Sequence, residues 1–222
     1  ICLNWGCIPT KALLKSAQVY NYIKHSADYG IEIEGELKPN FEQVIQRSRK
    51  VADNMSKGIE FLFKKNKINL IRGFAKLKSK NSVEVKNVEG ETSEYTAEHI
   101  IIATGARSRQ LPGMEQNGKN IIGYREALSL EKLPKSMVVI GSGAIGTEFA
   151  YFYQSLGTEV TIIEYFDNLA PLEDNEVSKQ LERSFKKMKI KVLTGAKVGK
   201  IDALDDKCIV YYENKKGEAQ IE

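Results

Sequence analysis

Apolar positions recur every three or four residues in two long stretches of the chain. In the first, from Ile8 to about Ser26, Leu13, Ala17, Tyr20 and Ile23 mark one face, and Pro9 sits in the first turn, where a missing N–H costs nothing. In the second, from Phe41 to Asn66, the stripe is Phe41, Val44, Ile45, Val51, Ala52, Met55, Ile59 and Leu62. Both are expected to be helices. Residues 27–40 between them read as a loop with short extended pieces, closed by Lys38-Pro39-Asn40. The pattern then shifts to short runs punctuated by Gly and Asn: Ile68 to Ile71, Phe74 to Leu77, Ser82 to Lys86 and Ser93 to Ala97, which predict a small β-meander. His99 to Ala103 adds a β-branched run ending at Thr104-Gly105.

A linker with Pro112-Gly113 and Pro134 leads to a second start. Met137 to Ile140 is a compact apolar strand, Thr147 to Leu156 a helix closed by Gly157, and Val160 to Ile163 the next strand. A helix over 174–189, a strand over 191–194 and short strands over 198–213 follow. Strand, turn, helix and strand in this order open a βαβ unit and place the chain in the α/β class.

The 222 residues suffice for one or two domains at about one to two hundred residues each. Apolar residues make up 42% and charged ones 28%, the balance of ordinary globular material. The net charge of +4 is small and the lysines are spread along the chain, so nothing points to nucleic acid. No run of eighteen apolar residues exists, which excludes a transmembrane helix. Three cysteines cannot build a multi-bridge secreted framework; they fit a reducing compartment, and a cytoplasmic location is expected. The chain opens at Ile1, in the middle of a motif, and reads as a fragment of a longer protein.

Gly141-Ser142-Gly143-Ala144-Ile145-Gly146 lies directly after a strand and opens a helix. Gly141 permits the tight turn, Gly143 lets backbone amides approach a pyrophosphate, and Gly146 allows close packing of helix on strand. The helix N-terminus supplies oriented N–H groups for phosphate. Glu164 ends the next strand, where a carboxylate would accept hydrogen bonds from an adenosine ribose and repel a 2′-phosphate. No Arg follows before Arg183, so NAD is favoured over NADP. The other reading is a Gly-rich turn that binds nothing.

Cys2 and Cys7 are five residues apart, and in a regular helix their Cα atoms would be separated by about 7.5 Å along the axis, beyond disulfide reach. A bridge requires a bend, which Asn4 and Gly6 tolerate. Cys7 stands just before a helix, where the dipole favours thiolate, and Lys11 shares its face one turn on. Those are the needs of a redox-active pair. Spacing alone leaves open two buried, inert cysteines.

The whole stretch from Cys2 to Leu14, CLNWGCIPTKALL, closely resembles the redox-disulfide segment of flavin-dependent pyridine nucleotide–disulfide oxidoreductases of the dihydrolipoamide dehydrogenase type. Ile100 to Gly105 looks like the ATG strand of the family's flavin domain, and Gly141 to Phe149 like its NAD turn. Trp5 stands where the family commonly has a small aliphatic residue, and Thr10 where it commonly has Ser. The resemblance implies Rossmann-like FAD- and NAD-binding domains, both partial, with a redox-disulfide helix and a small β-meander. Residues 1–133 would be the central part of the FAD domain with the disulfide, meander and linker. Residues 134–222 would be the N-terminal part of the NAD domain.

Carried over by position, the resemblance implies that Cys2 is the interchange thiol and Cys7 the thiol beside the flavin. Lys11 would lie near the reactive edge of the isoalloxazine, paired with Glu148. Gly73, Phe74 and Ala75 would pass the flavin adenine, and Ala103, Thr104 and Gly105 the flavin dinucleotide. Gly141, Ser142, Gly143, Ala144, Ile145 and Gly146, with Glu164 and Val198, would hold NAD. Bland readings stand beside these: Glu148 as a complement to a helix terminus, Val198 as strand core, Lys11 as a solvated lysine. Cys208, His25 and His99 read as structural or solvated. No metal site is expected. The implied activity is FAD-dependent oxidation by NAD of dihydrolipoyl groups of a 2-oxoacid dehydrogenase or glycine cleavage complex, by a homodimer that binds neither nucleic acid nor membrane. Another disulfide or mercuric reductase of the family, or a non-catalytic redox-sensing subunit, is the alternative. The family's first flavin turn and its C-terminal, His-bearing dimer domain are not in this sequence, so the piece alone is expected to be inactive.

Overall fold

The computed structural model describes residues 1–222. They form two compact units, one of Ile1–Asp53 with Ser108–Glu222 and one of Asn54–Arg107.

The first unit begins with a four-residue helix, α1 (Cys2–Trp5), broken at Gly6 before α2 (Cys7–Lys24). The break is local and tight. A Cβ at residue 6 would stand 3.2 Å from both the Cys2 Cα and the Ile1 Cγ2, so any larger residue there requires its neighbours to give by a few tenths of an ångström. Thr10 secures the joint from the other side, its hydroxyl donating to the Gly6 carbonyl at 2.7 Å. A short 3-10 turn at Ser26–Tyr29 ends this segment. The predicted second helix is α3 (Phe41–Lys65), whose first half buries Phe41, Ile45, Ser48 and Ala52.

After a one-turn helix, α4 (Tyr124–Ala127), comes the repeating part of the first unit. Its order is β4 (Ser136–Ile140), α5 (Ala144–Leu156), β5 (Glu159–Ile163), α6 (Asn175–Lys187) and β6 (Lys191–Leu193). The three strands are parallel, in the order β4-β5-β6, so each helix is a crossover of a βαβαβ unit. Asp174 caps α6, accepting from the Glu176 amide at 2.7 Å. An antiparallel sheet of β7 (Lys197–Ala203), β8 (Cys208–Asn214) and β9 (Gly217–Ile221) completes the unit.

The main core explains why α2 and α5 are neighbours. Leu13 and Ala17 of α2, Phe41 and Ile45 of α3, and Phe149, Phe152, Tyr153 and Leu156 of α5 are buried together with Val160 and Ile162 of β5. Tyr153 is fully buried; its hydroxyl donates to the Ala127 carbonyl at 2.6 Å, and burial pushes its pKa up. Asn21 adds a polar tie between α2 and α5, donating to Ser155 Oγ at 3.2 Å. A smaller cluster around Ile163, Ala196 and Val210 joins β5 to the C-terminal sheet.

The second unit contains the meander β1 (Phe74–Ser79), β2 (Ser82–Lys86) and β3 (Thr92–Thr96), antiparallel in sequence order. Two expected β runs form no strand: Ile68–Ile71 and His99–Ala103 are irregular and mostly exposed. Their β-branched residues suit a strand, but no strand of this chain hydrogen-bonds to either, and a strand without a ladder is not stable.

Candidate active site

Cys2 and Cys7 are joined as a disulfide with their Cα atoms 4.7 Å apart. Without the turn at Gly6, the helical rise alone would hold them too far apart. Both residues are exposed, and Cys7 occupies the first position of α2. A thiol released there would sit at the positive end of an eighteen-residue helix.

Lys11 lies one turn further along α2 and is exposed. Its ammonium donates to Glu148 Oε1 of α5, 137 positions away in sequence. The lysine side chain is 63% exposed and the glutamate 26%. The thiol-bearing helix and the helix that opens at the Gly-rich turn are therefore tied by one ion pair beside the disulfide. Glu148, in the second turn of α5, points to α2.

Trp5 is packed at the edge of the main core, in the segment between the two cysteines. The Arg49 guanidinium lies over its ring at 4.2 Å from the centroid, and that of Arg125 at 5.4 Å. Arg49 also donates from Nη1 to the Asn4 carbonyl at 2.6 Å. Burial lowers the Arg49 pKa and the neighbouring Asp53 opposes that shift. Neither arginine was singled out from the sequence. They stand 44 and 120 positions from Trp5, and no local pattern links them to it.

The Gly-rich turn has the geometry expected of it. Gly141 has φ +93°, and a Cβ at Gly146 would stand 2.2 Å from the Gly141 carbonyl oxygen. A Cβ at Gly143 would meet nothing within 4 Å. Helix α5 has no side chain capping its N-terminus, so its first amides are left for an anion in the open space beside Gly143. Ala144 and Ile145 are exposed at this mouth. The residues thus fit a dinucleotide pyrophosphate.

Glu164 is 5% exposed, and its Oε2 accepts from both the amide and the hydroxyl of Ser142 at 2.7 Å. Oε1 accepts from the Phe166 amide at 2.9 Å. Ser142 in turn accepts from the Ala170 amide at 3.1 Å. Glu164 is therefore part of the turn's own framework; a carboxylate has about four acceptor positions, which leaves one for a ligand. Val198 is half-buried in β7 and packs against the cluster of Ile163, Ala196 and Val210.

The residues assigned to flavin by resemblance lie in the second unit, apart from Lys11. Gly73, Phe74 and Ala75 lead into β1, and a Cβ at Gly73 would stand 2.6 Å from the Lys86 carbonyl oxygen. Phe74 is 87% exposed. Ala103, Thr104 and Gly105 are exposed and irregular, Gly105 with φ +81°. Cys208 lies within β8, half-buried, with its Sγ 3.5 Å from the Asn120 carbonyl oxygen, and burial pushes its thiol pKa up. His25 caps the C-terminus of α2, its Nδ1 2.8 Å from the Asn21 carbonyl oxygen.

Residues 1–221 match the family described as pyridine nucleotide-disulphide oxidoreductase. The chain is 46% identical to a dihydrolipoyl dehydrogenase of Rhizobium etli, with 99% of this chain and 49% of that one covered. It is 48% identical to one of Chlorobaculum parvum, with 90% and 43% covered. The chain thus spans about half the length of these curated relatives. Among solved structures, LpdA of Mycobacterium tuberculosis shares the fold with a TM-score of 0.88 at 24% identity, over 99% of this chain and 48% of that one. The flavoprotein disulfide reductase RclA of Escherichia coli gives a TM-score of 0.79 at 25% identity, over 99% and 45%. Matched over residues 1–221, this chain belongs to the pyridine nucleotide-disulphide oxidoreductases.

Proposed function

We propose that the protein oxidises dihydrolipoyl groups, using FAD and NAD. The observation that carries this reading is the exposed Cys2–Cys7 bridge at the start of α2, with Lys11 of the same helix paired to Glu148 behind the Gly-rich turn. When bound, the flavin and the nicotinamide supply hydride transfer, which no side chain of this chain can perform.

The chain's own residues handle sulfur and position. A thiolate of the reduced substrate attacks Cys2 Sγ, the Cys2–Cys7 bond breaks, and Cys7 leaves as thiolate. The second substrate thiol then attacks the substrate sulfur of that mixed disulfide and releases Cys2. The substrate has lost two electrons and closed its disulfide, and the cysteine pair has gained them. The α2 dipole stabilises the Cys7 thiolate, and Lys11 carries positive charge one turn away. Gly73, Phe74, Ala75, Ala103, Thr104 and Gly105, with Lys11, would hold FAD. The open face at Gly143 and the uncapped start of α5 would take the NAD pyrophosphate. The remaining acceptor position on Glu164 suits a ribose hydroxyl, and its charge disfavours a 2′-phosphate, so NAD is preferred to NADP. Val198 would lie near the NAD adenine.

The reading extends to residues 1–133 as part of a FAD domain, residues 134–222 as part of an NAD domain, a homodimeric whole protein, a cytoplasmic site of action, and the lipoyl groups of a 2-oxoacid dehydrogenase or glycine cleavage complex as partner. No helix is long and apolar enough to cross a membrane. The test is dihydrolipoamide-dependent NADH formation by the flavin-loaded full-length protein. Activity should vanish in Cys2→Ser and Cys7→Ser, and NADP should serve poorly. Flavin-loaded protein that makes no NADH from dihydrolipoamide would sink the reading.

A further inference from the structure

Trp5 has a place between the two cysteines but no part in the chemistry proposed above. It is the only tryptophan of the chain. Its ring carries the Arg49 guanidinium at 4.2 Å, while the same guanidinium donates to the Asn4 carbonyl at 2.6 Å. One side chain of α3 thus grips two successive residues of the segment between the thiols, one by its backbone and one by its ring. Arg125 lies over Trp5 from α4, further off at 5.4 Å. Asp53, one turn along α3, is the acidic group facing Arg49.

The grip matters when the bridge opens. In the oxidised chain the covalent bond itself holds residues 2 and 7 at a Cα separation of 4.7 Å. In the dithiol, α1 is a single turn joined to α2 through a glycine, and a helix of four residues has no stability of its own. Beside the Thr10 hydroxyl bond to Gly6 and the packing of Trp5 on the core, the intervening residues keep the charged hydrogen bond to Asn4 and the guanidinium over Trp5. Both are independent of the redox state of the sulfurs.

We propose that Arg49 is a positioning residue for the Cys2–Cys7 pair: it keeps the segment between the thiols ordered once the disulfide has opened, so that Cys7 can return to Cys2. Ordering before closure removes an entropic cost from the closing step, which appears as a higher effective concentration of one thiol at the other. The proposal rests on the redox reading of this disulfide. Arg49 itself touches no reacting atom.

The experiment uses the full-length protein, equilibrated with mixtures of reduced and oxidised glutathione, with the open and closed forms of the Cys2–Cys7 pair counted by peptide mass spectrometry after acid quench and alkylation. The effective concentration of the pair follows from the midpoint. Arg49→Met should lower it about tenfold, the scale of one charge-assisted hydrogen bond plus a stacked cation. Arg49→Lys keeps the charge but not the planar fork, and should recover only part of the loss. Trp5 fluorescence, with any tryptophan outside these 222 residues replaced by Phe, supplies a local second readout. In the wild type its emission maximum should hold on reduction, whereas in Arg49→Met it should move to the red as the ring is released to water. If Arg49→Met does not fold, Trp5→Leu tests the same point, because it removes the stack and leaves the Asn4 bond; its effective concentration should fall about threefold. Arg125→Met, which leaves Arg49 in place, should change neither readout. A wild-type chain that closes readily, with Arg49→Met or Trp5→Leu closing equally well, overturns the positioning role alone. A wild-type pair that closes no better than unlinked thiols overturns the redox reading beneath it.

Discussion

Glu164 and Ser142 stand 22 positions apart and meet through two hydrogen bonds of 2.7 Å, both accepted by one carboxylate oxygen. The residue that follows β5 thereby holds the second residue of the Gly-rich turn in place. The carboxylate that selects the nucleotide in the proposed function is also a strut of the turn that receives its phosphates.

Glu164→Ala should therefore do more than weaken NAD. It strands the buried Ser142 amide, at about 1–3 kcal/mol, and takes away the acceptor of the part-buried Phe166 amide. We expect a lower melting temperature in the absence of any nucleotide, together with weaker NAD binding and a narrower preference over NADP. Ser142→Ala removes one hydroxyl and leaves the Ala170 amide its second acceptor, the Ser142 carbonyl at 3.2 Å. It should cost about 1 kcal/mol and keep the cofactor preference. Calorimetry and initial rates with both nucleotides check the pair; an unchanged melting temperature in Glu164→Ala would remove the strut.

Two glycines of one turn should fail in different ways. At Gly146 a Cβ collides with the Gly141 carbonyl oxygen at 2.2 Å, so Gly146→Ala must push α5 from β4 and lose about 3 kcal/mol or more. At Gly143 a Cβ meets nothing and φ is −65°, so Gly143→Ala should melt as the wild type does. It should nevertheless lose nucleotide affinity, because the methyl occupies the space left for phosphate. Equal NADH affinity in Gly143→Ala and the wild type, by fluorescence titration, would contradict that placement.

Much of this arrangement was readable along the chain, because it is written in local spacing. The stripe from Phe41 to Leu62 gave α3, and the period from Met137 to Ile163 gave strand, turn, helix and strand. Ile68–Ile71 and His99–Ala103 were misread because a β-branched run describes a preference, while a strand needs a hydrogen-bonded neighbour. The partners of Trp5 were invisible for a related reason. Arg49 and Arg125 reach it only after α2, α3 and α5 have packed around Leu13, Phe41 and Tyr153. For the same reason, spacing could suggest a bend between Cys2 and Cys7 but not the Thr10 hydroxyl bond that secures it.

The three thiols should separate by reactivity once the bridge is reduced. Cys2 and Cys7 are exposed, whereas burial raises the Cys208 pKa and so reduces its thiolate fraction at neutral pH. The sign is that of a neutral form favoured by folding: protection of Cys208 is complete below the ordinary thiol pKa and weakens as pH rises above it. Iodoacetamide at pH 7, followed by mass spectrometry of peptides, should label Cys2 and Cys7 well before Cys208. Urea should abolish the difference. Labelling of Cys208 as fast as the other two in the folded chain would show that the β8 environment does not shield it.

The Lys11–Glu148 pair offers the sharpest division between a structural role and a chemical one. Its lysine is largely solvated, so as a stabilising contact it is worth well under about 1 kcal/mol. The packing of α2 on α5 is carried instead by Leu13, Ala17, Phe149 and Tyr153. Lys11→Met and Glu148→Gln should both leave the melting temperature nearly unchanged. If Lys11 stands beside a flavin, as proposed, the two substitutions act on that group with opposite sign. Lys11→Met leaves an uncompensated carboxylate, which opposes added electrons and lowers the flavin midpoint potential. Glu148→Gln leaves an uncompensated ammonium, which favours them and raises it. Potentiometric titration of the flavin-loaded full-length protein reads both directly. Shifts of the same sign, or none in either variant, would remove Lys11 from the flavin and return the pair to the surface.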